Sequence, residues 1–130
     1  VTAFWPWAVK RYARPGAAEA LLSLQDAHGV NVPLLLWALW LDAHGLDGDV
    51  EAAVDLTRRF SPAVDALRAA RRALKASAPP IKDGPRKALR RRVKALELES
   101  ERLLMLALER FAHPGPAAET ALARVLRART

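Results

Sequence analysis

The 130-residue chain contains no cysteine, which excludes disulfides, thiol chemistry and cysteine-ligated zinc, and suits a reducing compartment. Aromatic residues are few, and four of them are Trp: Trp5, Trp7, Trp37 and Trp40. None interleaves with the basic residues, so a base-stacking surface for single-stranded nucleic acid is not expected. The longest apolar run, Leu34 to Leu41, is eight residues, far below the roughly 20 that a membrane-spanning helix requires. It reads as a buried helix. No segment alternates with a strand-like period of two. The chain also lacks His-x-x-x-His and Glu-x-x-His pairs and the ligand series of a calcium loop. Ser23, Ser61, Ser77 and Ser100 stand in no nucleophile elbow. No catalytic residue, metal ligand or cofactor is therefore expected.

Ala, Leu, Arg and Glu dominate instead, a helix-favouring composition. Pro and Gly divide the chain into helical segments. Phe4 to Ala13 is the first and Ala17 to His28 the second. The third, Val32 to His44, is apolar nearly all round and should be central. A fourth starts at Asp47-Gly48-Asp49. Ser61-Pro62 resembles an N-cap with a first-turn proline, opening a fifth helix to about Ser77. A long helix runs from about Pro85 to Ala112, and a last one from Ala117 to about Ala128. The expectation is all-α: residues 1–130 as one helical domain of six to seven helices. Ala78-Pro79-Pro80 then links an N-terminal part (4–77) to a C-terminal part (85–128).

The N-terminus reaches Trp5-Pro6-Trp7 without the basic region and apolar core of a secretory signal. The chain opens at Val1 rather than Met, which leaves room for residues upstream. Sixteen Arg against five Lys suggest a GC-rich bacterial coding sequence. A soluble, cytoplasmic bacterial protein is expected.

The tetrapeptide Asp-Ala-His-Gly occurs twice, at Asp26–Gly29 and Asp42–Gly45. Asp and His two residues apart lie about 200° around a helix and cannot chelate one ion. His in a last turn followed by Gly instead fits a helix C-terminus. Gln25 and Asp26 are left over. Gln25 shares a face with Leu21 and Leu22 and needs polar partners there. The tryptophans fill the core or border a pocket.

The net charge of +7 is unevenly spread. Residues 58–94 hold thirteen Lys or Arg against Asp65 and Asp83. Arg68, Arg71, Arg72 and Lys75 form one helical stripe, and Arg86, Lys87, Arg90, Arg91 and Lys94 crowd one side of the long helix. Leu89, Val93, Leu96 and Leu103 lie roughly opposite, as if toward the core. Crowded like charges invite an anion. A solvated surface is the plain alternative, and salt bridges to Asp49, Glu51 and Asp55 are the strongest rival.

Phe4-Trp5, Tyr12, Pro15-Gly16, Leu24-Gln25-Asp26, Gly29, Val32, Leu35-Leu36 and Trp40 resemble the opening of a family of small proteobacterial proteins of unknown function. Leu67-Arg68-x-x-Arg71-Arg72-x-x-Lys75 is similar to that family's second block. The resemblance spans roughly residues 4–75, with Pro33 departing from an expected Asn. It implies an all-helical bacterial cytoplasmic protein and supplies no activity, cofactor or catalytic residue.

The leading expectation is a non-enzymatic binding or adaptor protein whose basic face engages an anionic partner, either an acidic protein surface or nucleic acid. The alternative is a small-molecule binder or enzyme with a pocket near Gln25, Asp26, Trp37 and Trp40. The length of the long helix also allows a homodimer.

Overall fold

The computed structural model describes residues 2–28 and 31–129, without the side chains of Ala18, Leu22, Gln25, Asp26, His28 and Arg129. Six α-helices follow one another among these residues: α1 Phe4–Tyr12, α2 Ala17–His28, α3 Val32–Ala43, α4 Val50–Ala73, α5 Asp83–Glu109 and α6 Ala121–Arg129. The fold is all-α. Two short strands, β1 (Asp47–Gly48) and β2 (Ala112–His113), pair antiparallel and were not expected. None of the helices is long and apolar enough to cross a membrane.

The apolar run makes α3 the centre of the molecule. Pro33 to Ala38, Trp40 and Leu41 are all buried. Asn31 caps its start, accepting the Leu34 N–H at 2.9 Å, and Pro33 occupies the first turn, where its missing N–H costs little. Its end follows the second Asp-Ala-His-Gly. Gly45 adopts φ +62°, the Leu46 N–H reaches the Leu41 carbonyl at 2.9 Å and the Gly45 N–H reaches that of Asp42 at 3.4 Å. These two bonds close a Schellman motif. His44 Nδ1 lies 2.9 Å from the Trp40 carbonyl. The Asp42 carboxylate accepts the Ala121 and Leu122 N–H groups at 2.7 and 3.1 Å. Thr120 Oγ1 accepts the Ala123 N–H at 3.2 Å. The last helix therefore starts at Ala121 and not at Ala117, because that is where these caps lie. The first copy of the repeat falls outside the described residues in its Gly29 and in the side chains of Asp26 and His28.

Residues 50–73 form one helix, α4, where a break at Ser61-Pro62 was expected. Asp49 caps it through the Ala52 N–H at 3.1 Å. Val50, Ala53, Val54, Thr57 and Val64 are buried, and Phe60 and Leu67 half-buried, so one stripe runs through the proline without interruption. Pro62 itself is exposed. The carbonyl it fails to reach can be hydrated while the opposite face stays packed on α5. The long helix α5 runs Asp83–Glu109, 27 residues, or roughly 40 Å.

Helices from both sides of the Ala78–Pro80 linker share one core. Its largest fully buried side chains include Phe4, Trp37 and Leu41 together with Leu104, Leu108 and Val125. The start of α1 is tied to the end of α5, and the residues before it to α3, as well. The Phe4 N–H donates to Glu109 Oε1 at 3.3 Å, and Trp40 Nε1–H donates to the Thr2 carbonyl at 2.9 Å.

Candidate binding cleft and basic groove

The basic stripe of α4 divides by depth. Arg68 and Arg71 turn inward to α5, where Glu97 is buried. Arg68 Nε donates to Glu97 Oε2 at 3.2 Å, and its Nη2 donates to Glu101 Oε1 at 3.4 Å. Arg71 Nε donates to the other Glu97 oxygen, with a second bond from Nη2 at 3.4 Å. Burial pushes the Glu97 carboxyl up, but Arg71 and Arg68 outweigh it and hold the group below its ordinary value. Burial raises the Glu101 carboxyl, and the neighbouring Glu97 charge adds to that rise against the pull of Arg68.

Intramolecular pairing was anticipated with other acids. Asp49 caps its own helix, and Asp55 pairs with Arg59 one turn along α4 at 2.9 Å. The partners of Arg68 and Arg71 come from α5 instead. Complementary stripes, Arg68/Arg71 on one helix and Glu97/Glu101 on the next, were visible in the sequence as the signal for this contact.

Arg86 is buried and serves the fold. Its Nη1 donates to the Leu74 and Lys75 carbonyls at 2.7 and 3.0 Å, closing the C-terminal end of α4. Its Nη2 donates to Asp83 at 3.1 Å. The Asp83 carboxyl, held low by Arg86 and Ser77, also accepts from the Ser77 hydroxyl at 3.0 Å. Arg90 is half-buried. Arg72, Lys75, Lys87, Arg91 and Lys94 are exposed, and none makes an ion pair among the described residues.

The orientation of α5 corrects a second expectation. Leu89, Leu96 and Leu103 are exposed rather than core-facing, and Val93 is half-buried. The buried side of α5 carries Arg86, Glu97, Ser100, Leu104, Met105 and Leu108. Counting charge as outward fails here because ion pairs hold Glu97, and backbone carbonyls with Asp83 hold the two Nη groups of Arg86, which permits their burial.

Between α1, α3, α4 and α5 lies a cleft of about 450 Å³. Trp5, Val9 and Tyr12 of α1 and Val32, Pro33 and Leu36 of α3 form an apolar wall. Arg68, Arg71 and Arg72 face Glu97, Leu98, Glu101 and Met105 across it. Along α5, Lys87, Arg91 and Lys94 continue the line of Leu98, Glu101 and Met105 at alternating spacings of four and three. The cleft thus opens onto a track of unpaired cations.

Trp37 and Trp40 are not part of it. Trp37 is fully buried against Gly48, and Trp40 packs on Phe4 with ring centroids 5.3 Å apart. The side chains of Gln25 and Asp26 lie outside the described residues. Trp5, half-buried, is the tryptophan that lines the cleft. Among the described residues no three His, Asp or Glu side chains are grouped to hold a metal.

A family model described as "Protein of unknown function (DUF2390)" matches residues 3–108. The chain belongs to the DUF2390 family. That match runs past the blocks recognised in the sequence and takes in α1 to α4 and all of α5 but Glu109, including every cleft-lining residue. Comparison with curated proteins and with solved structures returned no match.

Proposed function

We propose that this protein is a non-enzymatic adaptor that binds an acidic protein segment bearing an apolar side chain. The apolar side chain enters the cleft between Trp5, Tyr12 and Pro33, and its flanking carboxylates lie along Arg72, Lys75, Lys87, Arg91 and Lys94. The carrying observation is the joining of an apolar-walled cleft to a track of exposed, unpaired cations. Arg68 and Arg71 already hold Glu97 and Glu101, so they stiffen the cleft floor and leave Arg72 as the cation at its mouth. Duplex nucleic acid offers phosphate to the cations, but its bases are stacked on one another and leave the apolar wall unfilled. The absence of cysteine and the excess of Arg fit a bacterial cytoplasmic setting for such an adaptor.

The test is a titration of fluorescent Glu/Asp-rich peptides, with and without one Leu or Phe, beside duplex DNA. Peptides with the apolar residue should bind tightest, and Arg72→Glu with Lys94→Glu should weaken them by about tenfold or more. Raising the salt should weaken binding as well. Undetectable peptide binding at low salt sinks the proposal, and tighter binding of DNA by the same variant-sensitive cations replaces it.

A further inference from the structure

A different face of α5 carries a second pattern. Leu89, Leu96 and Leu103 are 45%, 51% and 55% exposed, and Leu106 is 43% exposed. The first three stand seven residues apart, the spacing that keeps leucines on one seam of a helix paired with another helix. At 100° per residue this seam lies roughly a quarter turn from the buried line through Arg86, Glu97, Leu104 and Leu108. It is also turned away from Leu98 and Met105, which face the cleft.

We propose that this seam joins two copies of the chain, packed antiparallel along α5 about a two-fold axis at Leu96. Charge sets the direction. Residues 83–95 hold six Lys or Arg and one acid, whereas residues 96–109 hold four Glu and one Arg. Parallel pairing would set like halves together, and antiparallel pairing opposes basic to acidic. The register follows from the leucines. An axis at Leu96 stacks Leu96 on its own copy and seats Leu89 against the partner's Leu103, twice, as a closed isologous contact requires. Arg92 and Glu99 are both exposed and lie on the same flank of the seam. In an antiparallel two-fold pair, same-flank residues meet, so each Arg92 faces the partner's Glu99. The seam is self-complementary in both shape and charge.

Sedimentation equilibrium of the full chain, well above micromolar concentration, should give about twice the 14.3 kDa chain mass. Leu96→Glu should return the mass to one chain while leaving the helical circular dichroism signal unchanged, since Leu96 is exposed. Arg92→Glu alone and Glu99→Arg alone should each weaken the dimer by about tenfold, and the double exchange R92E/E99R should restore it. The absence of cysteine permits a direct register check. Leu96→Cys should cross-link to itself, and Leu89→Cys should cross-link to Leu103→Cys chains. A wild-type mass of one chain overturns the dimer. Self-cross-linking of Leu89→Cys, or a double exchange that fails to restore it, overturns the antiparallel register.

Discussion

Gly48 carries a constraint that its neighbours Asp47 and Asp49 conceal. A Cβ there would meet Leu41 Cδ1 at 2.6 Å and the Trp37 ring at 2.8 and 2.9 Å. Gly48→Ala is therefore expected to cost about 1–3 kcal/mol by overpacking, read as a lowered thermal midpoint; an unchanged midpoint would mean that the Trp37 site has slack. Glu97 is the other residue on which much depends. Its folded pKa lies below the ordinary value, so the stabilisation it brings is present above the unfolded carboxylate pKa. That stabilisation is lost as pH falls through the folded value. Glu101 is raised and runs the other way, its charged form disfavouring the fold at neutral pH and relieved on acidification. Glu97→Gln should cost about 1–3 kcal/mol at neutral pH by replacing the carboxylate shared by two guanidiniums with an uncharged amide that keeps one acceptor oxygen, and should flatten the acid side of the stability profile. Glu101→Gln should be neutral or stabilising there. Denaturant melts across pH check both. The Asp-Ala-His-Gly repeat shows how far a single-residue reading reaches: the helix end at His44-Gly45 was legible, whereas Asp42 as the cap of α6 was not. That contact joins residues 79 apart, and nothing local signals it.

At the scale of elements, Pro62 separates the two kinds of signal a helix carries. The local one, Ser61 before Pro62, marks a start, while the spacing of Val50, Val54, Thr57, Phe60, Val64 and Leu67 marks one continuous face. The continuous face prevailed because it packs against α5 along its length. Pro62→Ala should then restore the missing bond to the Arg58 carbonyl and stabilise the protein, by up to about 3 kcal/mol. A helix that began at this proline would be unmoved or weakened, and circular dichroism with a thermal melt distinguishes the two. Similar reasoning explains α5. Its existence and length were legible from periodicity. Its rotation was not, because buried Arg86 and Glu97 look like surface residues until Leu74, Lys75, Arg68 and Arg71 are placed around them.

For the molecule as a whole, the all-α architecture and the central place of α3 followed from composition and from the Leu34–Leu41 run. The clustering of cations on α4 and α5 was equally plain. What the charge count concealed is its division into three uses. Arg68 and Arg71 lock two helices together, Arg86 closes a helix end, and Arg72 at the cleft, with Lys75, Lys87, Arg91 and Lys94 farther along α4 and α5, is exposed without an ion pair among the described residues. That cleft draws walls from residues 5 to 105, so no short motif could announce it. The adaptor role proposed for it is most directly tested by NMR with an acidic, Leu-bearing peptide. Shifts are expected at the Trp5 indole, the Arg72 guanidinium and the Leu98 and Met105 methyls, abolished by Arg72→Glu. Shifts confined to Arg58, Arg59 and other surface cations, with Trp5 silent, would contradict it.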